Sequence, residues 1–208
     1  MTLKKESLLN IIITGVGGQG NVVASQIFAS AAVRDGFYVS VGETYGAAQR
    51  GGAVMSHVRL SEEAQYGPLI PEGRAHIILG FEPVECLRTV GSFGNEKTKV
   101  IVNPRPVYPI DVLSGALNYP AVEEVLKAIK ELVYNVHVVG ATELAKRAGD
   151  PIMQNVVMVG CLAGSCFTPV TVETLREVVK ETFAKRRPEA NLKAFELGVK
   201  EIKRTKPL

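Results

Sequence analysis

Six residues near the start of the chain, Gly15-Val16-Gly17-Gly18-Gln19-Gly20, fit the pattern G-x-G-x-x-G between an apolar run and a helical pattern. Glycines at this spacing permit a tight turn and close backbone approach. The unpaired N–H groups at the helix start then attract a phosphate, and Gln19 can add a side-chain amide donor. Glu43, at the end of the next strand, stands where a dinucleotide site places its ribose-binding acid. Two alternatives stay open: the glycines only let strand and helix pack closely, and Glu43 holds the next loop or faces a partner subunit. Loops of this form are widely reused, so the motif fixes architecture better than function.

A second cluster runs from Gly42 through Glu43, Thr44, Tyr45, Gly46, Ala47, Ala48, Gln49, Arg50, Gly51 and Gly52 into the strand Val54–Leu60. Strand alternation puts Val54, Ser56, Val58 and Leu60 on one face, with Met55, His57 and Arg59 on the other. A surface bearing Arg50, His57 and Arg59 beside a glycine-rich turn suits an anion or an acidic partner. The alternative is a satisfied structural histidine with arginines bonded internally.

These groups must be positioned by regular elements. Leu8 to Thr14 is a continuous apolar run, as in a strand buried on both faces of a parallel sheet. Asn21 to Arg34 has helical spacing and stops at Gly36, and Phe37 to Val41 is a second strand. Further strands are expected at 54–60, 75–80, 99–102 and 135–139. Helices are expected at 121–133, at 152–165, after the N-cap Thr171, and from Glu189 to about Lys203. The 152–165 helix is apolar nearly all round, so it is either deep core or a subunit interface. Residues 103–119 are proline-rich and resist regular structure. Alternating strands and helices predict one α/β domain over residues 1–208: an open, mostly parallel, Rossmann-like sheet flanked by helices in three layers.

Composition narrows the function classes. A net charge of +3, without an aromatic-interleaved basic stripe, is weak ground for a nucleic-acid partner, and Lys185-Arg186-Arg187 reads as a solvated helix end. No apolar stretch reaches the ~20 residues of a membrane span. The short apolar run after Lys4-Lys5 passes into glycines without a cleavage site, so a cytoplasmic protein is expected. Three cysteines form no disulfide framework.

Taken together, the GVGGQG loop with its helix, the Glu43-to-Gly52 turn and the Ser56-His57-Val58-Arg59 strand resemble the gamma-type domain of the 2-oxoacid:ferredoxin oxidoreductases. The Ala48-Gln49-Arg50-Gly51-Gly52 segment is most similar to the indolepyruvate branch. The resemblance is specific over about residues 9–60 and looser towards the C-terminal helix. Departures are Ala47, where a larger residue such as methionine is usual, and Asn21, where an aliphatic one is. It implies oxidative decarboxylation of a 2-oxoacid, with CoA as acyl acceptor and ferredoxin as electron acceptor. Thiamine diphosphate, magnesium and 4Fe–4S clusters carry that chemistry.

This chain has no G-D-G followed by asparagine and no C-x-x-C-x-x-C run. Three cysteines cannot ligate a four-cysteine cluster, and Cys161 and Cys166, five apart on a predicted helix, would point ~140° apart. The resemblance therefore implies a non-redox subunit with no catalytic residue or metal ligand of its own, inactive when isolated. Its larger partner subunit would hold the thiamine diphosphate and the clusters, and ferredoxin would be met indirectly. Gly15, Gly17, Gly18, Gln19 and Gly20 become a phosphate or CoA cradle. Glu43, Tyr45, Gln49, Arg50, Gly51, Gly52, His57 and Arg59 become a partner- or anion-binding surface. Competing classes are a stand-alone NAD(P)-dependent reductase and a phosphate-ligand binding module. No Tyr-x-x-x-Lys pair or acid–base dyad supports the reductase, and His76 and His137, in apolar strands, read as structural.

Overall fold

Continuous apolar runs along the central strands give each of them two buried faces, and helices cover both. In the computed structural model, which describes residues 8–46 and 52–208, the elements run β1 (Leu8–Val16), α1 (Asn21–Arg34), β2 (Tyr38–Tyr45), β3 (Ala53–Ser61), β4 (Ile77–Gly80), α2 (Pro83–Phe93) and β5 (Lys99–Val102). They continue as α3 (Ile110–Leu113), α4 (Val122–Leu132), β6 (Asn135–Val138), α5 (Ala141–Ala148), α6 (Gln154–Gly164), α7 (Val172–Thr182) and α8 (Pro188–Arg204). Ile11, Ile13, Ile77, Leu79 and Ile101 face a core shared with α1 and α5 to α8. Ile12, Ile78, Val100 and Val102 face a second core under α2 and α4. That is the expected three-layer arrangement.

The six strands lie in the order β2-β3-β1-β4-β5-β6. Five run in one direction, because β3 alone is antiparallel to both of its neighbours. The sheet is therefore mixed in its pairings though mostly parallel in direction. β2 is not adjacent to β1, since β3 is inserted between them, and β2 runs on to Tyr45 rather than stopping near Val41. Glu43 and Tyr45 thereby become strand residues.

Local chemistry explains several boundaries. α1 ends as expected at Gly36, which has φ 91°, with the Gly36 and Phe37 N–H groups donating to the Val33 and Ala32 carbonyls. Thr171 caps α7 by accepting from the Thr174 N–H. Pro188 opens α8 in the first turn, where its missing N–H is not needed. The 152–165 segment divides into a 3-10 turn, Pro151–Met153, and α6, and it belongs to the core: Val156, Val157, Met158 and Val159 are fully buried. Cys166 lies beyond α6 with φ 59° and is exposed, which corrects its expected place on the helix. Among the described residues, no helix is long and apolar enough to cross a membrane.

Helices α6 and α8 meet backbone to backbone. A Cβ on Gly198 would lie 2.1 Å from the Val157 carbonyl oxygen, and one on Gly160 2.2 Å from that of Phe195. Alanine is the better helix former, yet at Gly198 the clash decides the sign. We expect Gly198→Ala to destabilise the chain by about 3 kcal/mol. Gly91→Ala on α2, where a Cβ meets nothing within 4 Å, should stabilise it by about 0.5–1 kcal/mol. Urea unfolding of both variants checks this, and equal effects would show that α6 and α8 can separate freely.

Candidate functional site

The glycine loop follows β1 and opens α1 as the motif requires, and its glycines divide into two roles. Gly15 and Gly20 make room. A Cβ on Gly15 would lie 2.5 Å from the Gln19 carboxamide oxygen, and one on Gly20, which has φ 83°, 2.5 Å from the Asn155 amide nitrogen. Gly17 and Gly18, together with Gly20, line an open cleft of about 600 Å³. Gly18 is exposed, with φ 98° and nothing within 4 Å of an added Cβ.

Gln19 is not a free donor. Its Oε1 accepts from the Val16 N–H at 2.7 Å and its Nε2 donates to the Phe81 carbonyl at 3.0 Å, so the buried carboxamide ties the end of β1 to the end of β4. The anion-binding capacity rests on backbone. Ala24 makes the first helical hydrogen bond, to Gly20, and α1 has neither a side-chain cap nor an acidic residue in its first turn. The N–H groups of Asn21, Val22 and Val23 therefore have no partner within the helix. All three residues line the cleft. Asn21 donates through Nδ2 to the Val54 carbonyl at 3.2 Å, while its buried Oδ1 has no hydrogen-bond partner among the described residues.

The second sequence cluster separates into three places. Its turn meets the glycine loop: the Gly17 N–H donates to the Gly52 carbonyl at 2.9 Å, and Tyr45, Gly46 and Val54 form a wall of the cleft. Gln49, Arg50 and Gly51 lie outside the described residues. Glu43 turns inward, accepting from Ser25 Oγ at 2.9 Å and from Ser56 Oγ, so its carboxylate joins β2 to α1 and β3. With both oxygens engaged and β3 standing between β2 and β1, Glu43 is not placed as a ribose-binding or anion-facing acid.

His57 is likewise internal, and Arg59 is half-buried with its guanidinium bonded to the chain. His57 is buried, its Nδ1 accepting from the Ile70 N–H at 3.3 Å and its ring edge-on to Phe93 at 5.4 Å. Burial, and after it the neighbouring Arg59 charge, lowers its pKa. Arg59 sits six residues along β3 from Ala53, about 20 Å from the turn. It donates to Asn10 Oδ1 at 3.0 Å and to the Gly67 and Leu69 carbonyls at 2.7 and 3.2 Å, with Tyr66 stacked on the guanidinium. The expected anion or partner surface on this strand is thus corrected to an anchor for the 62–70 loop.

Sequence reasoning missed a second cleft, about 550 Å³, that shares Gly18, Gly20 and Val23 with the first and carries Lys185, Arg186 and Arg187 on its far side. Adjacency of three basic residues in sequence was the only signal. Reasoning also missed Glu82, a buried carboxylate that caps α2 by accepting from the Glu85 N–H and is bonded by the Tyr119 hydroxyl. Glu82-Pro83 ahead of an apolar run could have announced that helix. Burial and this carboxylate push the Tyr119 phenol up.

The cysteines do not converge. Cys86 lies in the core under α2 and Cys161 in the core on the opposite face, both with thiols pushed up chiefly by burial, while Cys166 is exposed. Among the described residues, no three His, Cys, Asp or Glu side chains gather as a metal site would need. An iron–sulfur cluster does not fit these positions.

A sequence model of the pyruvate ferredoxin/flavodoxin oxidoreductase family matches residues 10–201. The chain is 41% identical over 190 residues to indolepyruvate oxidoreductase subunit IorB of Archaeoglobus fulgidus, covering 91% of this chain and 93% of that one. It is 40% identical over 195 residues to the protein of the same name from Thermococcus kodakarensis, covering 93% and 96%. Among solved structures, the keto/oxoacid ferredoxin oxidoreductase gamma subunit of Geobacter sulfurreducens superposes with a TM-score of 0.71 at 23% identity, over 97% of this chain and all of that one. The 2-oxoglutarate:ferredoxin oxidoreductase of Magnetococcus marinus, solved with 2-oxoglutarate, coenzyme A and succinyl-CoA bound, gives 0.76 at 23% identity. There 98% of this chain matches 32% of a longer one.

The buried imidazole of His57 generates a pH dependence. Its folded pKa lies below the ordinary 6.5, so its contribution to stability is complete above that value and is lost as pH falls from there through the folded pKa. Melting temperature should fall as pH drops below about 6.5, and His57→Gln should flatten part of that fall. An unaltered slope would show that His57 protonates as readily folded as unfolded.

Proposed function

This chain belongs to the pyruvate ferredoxin/flavodoxin oxidoreductase family, and from that premise we infer that it is the small, non-redox subunit of a 2-oxoacid:ferredoxin oxidoreductase of the indolepyruvate type. The identities of 41% and 40% to subunits named for indolepyruvate, over nine-tenths of each chain, support that branch. A larger partner subunit carries thiamine diphosphate, magnesium and iron–sulfur clusters and passes electrons to ferredoxin. The separated cysteines support placing the clusters there.

The observation that carries the role of this chain is the open first turn of α1. Free N–H groups beside Gly17 and Gly18 face a cleft, and the positive end of a 14-residue helix favours negative charge there. In the family reaction the anionic co-substrate is CoA, and this turn is the place for its phosphates. The wall formed by Tyr45, Gly46 and Val54 brings β2 and β3 to the edge of the cleft, and we assign that edge, with Arg50 in the sequence between the two strands, to the partner subunit. The alternative of a stand-alone NAD(P) reductase loses its ribose-binding acid, because Glu43 is spent on two serine hydroxyls.

Gly17→Asp places a carboxylate in the cradle. In the reconstituted complex it should raise the KM for CoA about tenfold or more, equivalent to about 1.4 kcal/mol, while the KM for the 2-oxoacid stays within about twofold. Native mass spectrometry establishes that the variant assembles. Equal effects on both substrates would reduce the loop to a joint between strand and helix, and an unchanged CoA response would remove it from the site.

A further inference from the structure

Two clefts meet at the glycine loop. Gly18, Gly20 and Val23 border both, so the loop is a ridge with the α1 cradle on one side and the Lys185-Arg186-Arg187 segment across the other. That segment is held in shape rather than left as a loose helix end. Asn191, only 4% exposed, donates through Nδ2 to the carbonyls of Arg186 and Arg187, both at 3.0 Å. Arg187 takes the left-handed conformation, φ 50°, at the start of α8, a conformation that a non-glycine residue adopts only where its surroundings hold it there. Its guanidinium is committed to Asp150 at 3.0 Å, which neutralises the one carboxylate that lines this cleft among the described residues. Lys185 and Arg186 have no ion pair among the described residues and are exposed on the cleft wall. A buried asparagine and an ion pair thus fix a backbone that presents two uncommitted cations beside an anion cradle. The cradle holds an independent sign of a ligand in Asn21, 3% exposed, whose Oδ1 is buried and, among the described residues, unpaired in the first turn of α1; such an acceptor calls for a hydroxyl or amino donor, which a nucleoside carries beside its phosphates.

We propose that Lys185 and Arg186 form a second phosphate subsite, across the glycine ridge from the cradle, that takes a phosphomonoester carried on the same ligand as the cradle's phosphates. The ligand class is a nucleotide bearing phosphate at two separate positions, rather than one with a single phosphate chain. The inference rests on the reading of the cradle as the CoA phosphate site and names the part of that ligand which this chain selects: the 3′-phosphate of its adenosine. Charge-assisted bonds from a guanidinium and an ammonium suit a dianionic monoester better than a diphosphate already engaged by backbone N–H groups.

Dephospho-CoA, which keeps the diphosphate and lacks the monoester, isolates this subsite. In the reconstituted complex, the unmodified chain should show a KM for CoA about tenfold or more below that for dephospho-CoA. The double variant Lys185→Ala/Arg186→Ala should lose that preference by raising the KM for CoA alone, with kcat and the KM for the 2-oxoacid unchanged. Both side chains are exposed, so the fold should not be affected, and thermal unfolding checks it. If the unmodified complex treats the two thiols alike, or if the double variant keeps the preference, the subsite does not exist. Gly17→Asp is the separate arm for the cradle. It should raise the KM for both thiols, and if it raises neither while the double variant still abolishes the preference, the cradle reading fails and the subsite stands.

Discussion

The shape of the site depends on the carboxamide of Gln19. One oxygen and one nitrogen atom hold the end of β1 to the end of β4, satisfying the Val16 N–H and the Phe81 carbonyl in a place closed to water. A buried amide satisfied at both ends is rigid, and either partner left alone would carry a desolvation penalty of roughly 1–3 kcal/mol. Because the side chain folds back, Gly15 can bear no Cβ. Gly17 and Gly18 are thereby turned outward, and the first turn of α1 is left without a cap. A residue whose motif position suggests a ligand donor instead leaves the ligand to the backbone.

The second constraint is the insertion of β3. A strand pair that put β2 beside β1 would bring Glu43 to the mouth of the cleft. With β3 between them, Glu43 and Ser56 face each other in register, and the carboxylate closes on two hydroxyls. The same insertion brings the start of β3 to the glycine loop, where Gly52 meets Gly17. The architecture keeps the anion-binding half of a nucleotide fold and gives up the half that recognises a nicotinamide dinucleotide through its ribose. That division suits a subunit that binds an anionic co-substrate while another carries the redox chemistry.

Much of this was legible in the sequence because it is local. The apolar run of β1, the glycine stop of α1, the amphipathic stripe of α4 and the Thr171 cap each follow from neighbouring residues. α2 and α5 were not legible: Thr89 and Gly91 interrupt the first stripe, and Leu144 is the only large apolar residue in the second. β2 was read too short because Gly42 looks like a breaker, yet pairing with β3 carries the strand past it. Within the site, the glycine loop and the Glu43-to-Gly52 segment were visible as separate motifs, whereas the hydrogen bond that joins them, Gly17 to Gly52, was not. The engagement of Gln19 was not visible either, and for Glu43, His57 and Arg59 the sequence left an internal role as one of two readings, since each is fixed by a partner the local pattern does not show, such as Phe81, Ser25, Ile70 or Gly67. The basic segment at 185–187 faces the cleft only because α8 and α1 pack on the same side of the sheet.

The central claim is that backbone N–H groups of this chain meet the phosphates of CoA. Hydrogen–deuterium exchange on the assembled complex, with and without CoA, tests it directly. The amides of residues 17–23 should exchange more slowly when CoA is bound, while the core strand β4 is unaffected. Exchange through residues 17–23 that CoA does not alter would contradict the account.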